Sequence, residues 1–439
     1  MVNGDDGKPD SRRWWALALL TAIYTIHSID RTVVNIIAEP LKHDFQLSDH
    51  AVGLLNGLAH ATGFVITVLP LGMLVDRVNR VRLLGTLVTI WSGLTLFCGI
   101  ANSFLTLAFC RLGVGAAEGG GSSNSLSLIS DYFPKRERAT AVGFFFTSTA
   151  IGLGLTFLLG GMIVHDHGWR AAFTVAGLPG ILLGALAFLT LKNPIRGRYD
   201  DERQHWEKAP PLSAALKHIA TTPALSLSIL GLTLGTVAIS GIMAWVASFF
   251  IRVHGFAIRE VGFVLAISIG FVQGICLPLF GRLNDHLSRD RPDRIHLVSM
   301  FGLLASAPIG AMMLLATNAN LAIAGVILIA ISTAAWLAQS LGAVATLAPP
   351  LMRGSTIGFA QLCSNLIGTG CGPLLVGALS DAYGGSSSLR YALATILVIY
   401  VAAAICLFLA TRRICAQLIA MRSNVLVPTS SSGRPVAAL

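Results

Sequence analysis

The chain has 439 residues, of which 54% are hydrophobic and only 12% charged. Soluble globular chains carry about 25% charged residues, so this one lacks the polar surface that water demands, and its solvent is lipid. The formal charge of +10 then reads as a membrane-topology signal, and no nucleic-acid partner is expected.

A tail over 1–13 leads into a first apolar run at Trp14–Ala38, too long for a signal-peptide core. Further runs follow at Val52–Leu74, Leu83–Ala101, Leu105–Ile129, Ala139–Val164 and Ala171–Leu191. Residues 192–222 gather Arg196, Arg198, Asp200, Asp201, Glu202, Arg203, Pro210 and Pro211 and read as a linker. A second set occupies Leu225–Ile251, Val261–Phe280, Ile295–Ala316, Leu321–Leu347, Ser355–Leu379 and Leu389–Leu409, and a tail fills 413–439. In lipid only helices or closed barrels satisfy the backbone, and barrel strands alternate in polarity where these runs do not. The expectation is an all-α integral membrane protein: twelve transmembrane helices in two six-helix bundles, 14–191 and 223–412, related by pseudo-two-fold symmetry.

Most of the 31 lysines and arginines fall in the tails, the linker and one alternating set of loops, whereas the opposite loops hold only Lys42, Arg170, Arg252, Arg259 and Arg390. That bias puts both termini on the cytoplasmic side of a cell inner membrane. The two halves also repeat. Val52-Gly53 and Gly72…Asp76 return at one constant offset as Val261-Gly262 and Gly281…Asp285. Gly152, Gly154, Gly161 and Gly168 return in the same way as Gly368, Gly370, Gly377 and Gly384. Carriers built from such repeats hold their substrate between the halves. The seven cysteines show no C-x-x-C spacing and read as core filler, and no P-loop, zincin or nucleophile-elbow motif occurs. No enzyme activity, cofactor or metal is expected.

Gly72-Met-Leu74-Val-Asp76-Arg77-Val-Asn-Arg80-Val-Arg82 resembles the loop motif G-x-L-x-D-R-x-G-R-R of the major facilitator superfamily, with Asn79 where glycine is usual. Arg111-x-Gly113-x-Gly115 resembles that family's fourth-helix pattern. Asp30-Arg31, Gly53-Leu54-Leu55 and Arg111 with Glu118-Gly119 resemble the Spinster-type branch. The resemblance implies a carrier of lysophospholipids, sphingosine phosphate or related amphipaths, proton-coupled in bacterial relatives. It also implies that Asp30, Arg31 and Glu118 serve coupling and substrate, with Arg111 nearby.

Read without that resemblance, Asp30, Arg31, Arg111 and Glu118 are the charges at membrane depth. Each costs about 2.5–3.5 kcal/mol at a helix centre, so they need partners or a wet cavity. Glu118 lies seven residues after Arg111, on the same helix face. The expectation is that Arg31, Arg111 and Glu118 face a central cavity lined by helices 1, 4, 7 and 10. Glu118 and Asp30 would take the proton, and proton uptake at Glu118 would free an arginine for an anionic substrate. The alternative is a static ion cluster locking two helices together.

Tyr24, His27 and Arg31 share one face of the first helix, and Asn56 and His60 are one turn apart on the second. With Trp245, Gln273, Trp336, Gln339, Gln361 and Asn365 they are cavity candidates, or else packing residues. His165-Asp166-His167 falls in an outer loop and reads as surface. Asp76, Arg77 and Arg80 form a candidate cytoplasmic gate, the aspartate facing a helix N-terminus. All four deep charges belong to the first half, so the cavity should be charged on one wall and apolar on the other. That favours a lipid-like anion as substrate, with protons and membrane lipids as the other partners of a monomer. Carriage of aromatic or other small organic acids, multidrug export, and a non-transporting receptor or scaffold are the competing readings.

Overall fold

The computed structural model describes residues 12–75, 77–199, 211–289, 291–337 and 340–426, and every regular element among them is helical. The first half contains α1 (Arg13–Phe45), α2 (Asp49–Val75), α3 (Arg80–Gly99) and α4 (Phe104–Glu118, continued by Gly121–Tyr132). Its last two helices, α5 and α6, are the arms of Lys135–Thr190 on either side of Gly168, whose φ of 79° breaks the helix. A short helix, Leu212–Thr221, precedes the second half. That half comprises α7 (Pro223–His254), α8 (Ile258–Ser288), α9 (Leu297–Leu315), α10 (Ala319–Leu337 and Ser340–Leu347), α11 (Arg353–Tyr383) and α12 (Ser388–Leu426).

Nine runs among the described residues are long and apolar enough to cross a membrane, and Lys135–Thr190 supplies two of the spans. The other two spans are α1, made polar by His27, Ser28, Asp30 and Asn35, and α4, divided at Gly119 and Gly120. Helix ends follow local chemistry. The Ser48 and Ser103 hydroxyls accept from the amides of Ala51 and Thr106, capping α2 and α4. Pro223 opens α7, where a missing N–H costs nothing, and Gly255 closes it at φ 68°. The helices α1 and α12 outlast the apolar runs that predicted them, ending at Phe45 and Leu426 rather than Ala38 and Leu409. Hydropathy marks membrane depth, not the point where backbone hydrogen bonding stops.

Within the first half α1 and α3 pack along the α5–α6 run and α2 packs on α4; within the second, α12 packs on α7 and α9. Between the halves α2 crosses α11, and α5 crosses α8. Both crossings are built on glycines of the sequence repeat. A Cβ on Gly377 would meet the Asp49 carbonyl at 2.3 Å, and one on its repeat partner Gly161 would meet the Ile258 carbonyl at 2.9 Å. Backbones approach this closely only where the side chain is absent.

The crossings lie toward the face opposite the termini, here the far face. In α2 the residues from Asp49 to Gly63 hold nearly all of the buried positions, and only Val75 is buried beyond them. In α8, Val261, Gly262, Leu265, Ser268, Ile269 and Gln273 are buried toward the far face, against Asn284 alone toward the near one. Among the described residues, the burial of both helices places the contact between the halves toward the far face.

Candidate functional site

A cavity of about 340 Å³ lies at the seam. The first half lines it with Arg31, Thr32 and Asn35 of α1, Asn56 and His60 of α2, and Leu153 and Phe157 of α5. The second half contributes apolar Leu232, Ile239, Met243, Ile269 and Trp336, with Thr236, Ser240, Gln273 and Thr369 as its uncharged polar groups. Arg31 reaches across the seam. Its Nη2 donates to Asn365 Oδ1 at 2.8 Å and to Thr369 Oγ1 at 3.3 Å, both on α11. Asn56 Nδ2 donates to Asn35 Oδ1 at 2.8 Å, fixing the cavity edges of α1 and α2.

Behind this wall sits a sealed ionisable cluster. Glu118 is wholly buried, and its Oε2 lies 2.8 Å from His60 Nε2 and 3.3 Å from His27 Nδ1. A carboxylate only accepts, so each imidazole must present an N–H to it. Tyr24 stacks on His27 at 4.8 Å between ring centroids, and Trp91 stands edge-on to the same ring at 6.1 Å. The guanidinium of Arg111, also wholly buried, donates from Nη1 to the main-chain carbonyl of Asp30 at 2.7 Å. The Asp30 carboxylate is buried, and among the described residues neither of its oxygens has a hydrogen-bond partner.

These positions revise several expectations. Arg111 and Glu118 do not line the cavity, and among the described residues α4 contributes none of its lining. The gap is filled by α2, α5, α8 and α11. Among the described residues no arginine pairs with Glu118; two histidines do. Trp245 is 1% exposed, and its Nε1 donates to Pro373 O at 3.0 Å, which makes it a packing residue. Gln361 is exposed and outside the cavity lining, whereas Gln273 and Trp336 line it as expected, the Gln273 amide donating to Thr333. Arg77 is exposed, while Asp76 and Gln339 fall outside the described residues. Arg80 is no surface gate charge. It is 1% exposed and clamps Asp131, Ser127, Asn193 and Pro194, tying α3 to the end of α4 and the start of the linker. His165 and Asp166 are exposed and bonded to each other, and no group of potential metal ligands occurs among the described residues.

Sequence reasoning missed a bracket at the far face. Arg252 of α7 donates to Glu39 of α1 at 2.8 Å and to both oxygens of Asp49 of α2 at 2.7 and 2.8 Å. Ser380 Oγ donates to Asp49 Oδ2 at 2.6 Å, and Asp381 accepts the amides of Asp49 and His50 at 3.0 and 2.7 Å. A carboxylate of α11 thus caps the N-terminus of α2 across the seam. The basic residues at span ends, Arg252 and Lys42 among them, were read as topology, and the carboxylates that meet Arg252 were not singled out.

The Major Facilitator Superfamily profile matches residues 20–366. An MFS-type efflux pump of Mycolicibacterium smegmatis is 26% identical over 417 residues, covering 92% of this chain and 93% of the pump. A gallate transporter of Pseudomonas putida is 31% identical over 204 residues, 46% of this chain and 44% of that protein. A solved bacterial homolog of the human lysosomal transporter Spinster, inward-facing and unoccupied, matches at a TM-score of 0.85 and 28% identity. That match covers 93% of this chain and 98% of the other.

Proposed function

The chain belongs to the Major Facilitator Superfamily and is a membrane transporter rather than an enzyme, and from that premise we propose that it is a proton-coupled carrier of an amphipathic, lysolipid-like anion. One observation carries the reading. Among the described residues that line the cavity Arg31 holds the only fixed charge, and the wall it faces is largely apolar. A sugar would leave many hydroxyls unpaired against that wall, at about 1–3 kcal/mol for each buried group. A single-chain anion sets its head on Arg31 and its tail on the second half, gaining about 0.8 kcal/mol per buried methylene.

Arg31 also holds the seam through Asn365 and Thr369. An anionic head competes for the same guanidinium, so substrate binding weakens one tie between the halves. Coupling is assigned to the buried cluster behind that wall, which is built on the carboxylates Glu118 and Asp30. In this reading both termini are cytoplasmic in a cell inner membrane, the near face opens to the cytoplasm, and a monomer cycles by alternating access with protons and lipid as its other partners. Asp76 and Arg77 guard the near face when it closes.

The runner-up is an aromatic or other small organic acid, which the similarity to a gallate transporter favours. Multidrug export has the efflux-pump relative in its favour. Binding of a homologous series of single-chain lysophosphatidylglycerols to the purified protein separates these readings. Affinity should rise with chain length, and Arg31→Ala should weaken every member alike by about 10- to 100-fold, the worth of a charge-assisted hydrogen bond. A flat chain-length dependence, with gallate bound more tightly, would overturn the amphipath.

A further inference from the structure

We propose that the coupled proton resides on His60, as an imidazolium, with Glu118 remaining ionised as its fixed counter-charge. The inference rests on the coupling role given above to the buried cluster, and it moves the titrating atom from oxygen to nitrogen.

The geometry runs from the cavity inward. Glu118 has no exposure, its Oε2 is occupied by two imidazoles, and its Oε1 is sealed without a partner. A proton arriving from the cavity therefore meets His60 first, because His60 is the member of the triad that lines the cavity. In the neutral state His60 uses its single N–H, at Nε2, on Glu118. Its remaining basic atom is Nδ1. Among the described residues no hydrogen bond engages that atom, and His60 itself lines the cavity. His27 is placed differently: it stacks under Tyr24 and is not part of the lining.

The step balances simply. One proton adds to the Nδ1 lone pair, no bond breaks, and the triad goes from a net negative charge to neutral. The charged groups acting on His60 are Glu118 and Arg111 from α4 and Arg31 from α1. Tyr24, His27 and Asp30 are the titratable groups that α1 brings to the cluster, and α11, packed against α2, presents Asn365 and Thr369, which do not titrate. An imidazolium buried there needs a counter-charge in contact, and ionised Glu118 at 2.8 Å supplies it. Protonation places a second cation beside Arg31 on the same wall. Proton and anion must then strengthen each other's binding, reciprocally.

Two measurements on the full chain in lipid nanodiscs test this. The first is equilibrium binding of a lysophosphatidylglycerol between about pH 8 and about pH 5, the range in which imidazole titrates. Wild-type affinity should rise about tenfold as the pH falls. His60→Gln keeps an amide donor at the position of Nε2 but cannot take the proton. It should lose the rise whatever its affinity at high pH, whereas His27→Asn, which preserves the Nδ1 donor, should keep the rise. A wild-type slope in His60→Gln would overturn the proposal, as would a slope lost only in His27→Asn. The second is infrared difference spectroscopy over the same pH step without ligand. No carboxylic-acid carbonyl band that Glu118→Gln removes should grow in; such a band would place the proton on Glu118 and end the proposal. Absence of probe binding at every pH would instead defeat the amphipath reading, and the ligand-free spectrum would still decide where the proton sits.

Discussion

The two halves share a plan and differ in what they bury. Among the described residues, every buried aspartate, glutamate and arginine belongs to the first half: Asp30, Asp49, Arg80, Arg111, Glu118 and Asp131. The second half buries hydroxyls and amides such as Ser228, Thr233, Gln273, Ser306 and Thr333, and one histidine, His296, bonded to Ser228 at 2.8 Å. Duplication supplied two bundles with equivalent glycine crossings. The buried acidic and arginine side chains lie in one of them, and the other presents a largely apolar wall to the cavity.

The bracket at the far face is where that division can be broken most forcefully. Arg252 is the second-half cation that neutralises first-half carboxylates, and its side chain is only 19% exposed, against 3% for Asp49. Removing one partner of a buried pair costs about 3–5 kcal/mol. Arg252→Ala should therefore lower thermal stability and speed hydrogen exchange at the start of α2, by amounts that a substitution within one half does not match. Unchanged exchange there would mean that the bracket does not hold the seam.

A smaller effect tests whether the two crossings are copies of one contact. Overpacking a tight site costs about 1–3 kcal/mol. Gly377→Ala, whose new Cβ would meet the Asp49 carbonyl at 2.3 Å, should destabilise the protein more than Gly161→Ala, with 2.9 Å to Ile258 O. Thermal melts of the two variants check the order, and a reversed order would contradict the symmetry. The smallest effect is expected at Asp293 on the near face. A hydrogen bond from Arg291 holds its carboxyl below the ordinary range. The contribution of that pair is present above the unfolded carboxylate's pKa and is lost as pH falls through the folded one. Because Arg291 is 58% exposed, Asp293→Asn should leave the neutral-pH melt within scatter and change only its acid limb. A clear drop in stability at neutral pH would show the pair to be worth more than solvent screening allows.

Much of the architecture was legible because lipid imposes a one-dimensional rule: long apolar runs are spans, and the glycines of the repeat mark where spans touch. The four deep charges were legible for the same reason, since each is expensive where it lies. Their partners were not. His27, His60 and Glu118 come from three helices, and no spacing along one helix reports a convergence of three. Arg111 was expected at a carboxylate, yet it binds the Asp30 carbonyl, a group that every residue carries and no sequence pattern can flag. Arg80 sat in a basic loop motif that reads as surface, and its burial depends on Asp131 and the linker folding back over it.

The most direct test of the account is flux in proteoliposomes with and without an imposed proton gradient, comparing wild type with Glu118→Gln. With a lysophosphatidylglycerol as probe, the gradient should accelerate wild-type uptake. Glu118→Gln should lose that response while gradient-free exchange survives. An unchanged gradient response in Glu118→Gln, or equally fast uptake of a sugar by the wild type, would contradict a proton-coupled anion carrier whose charges lie in one half.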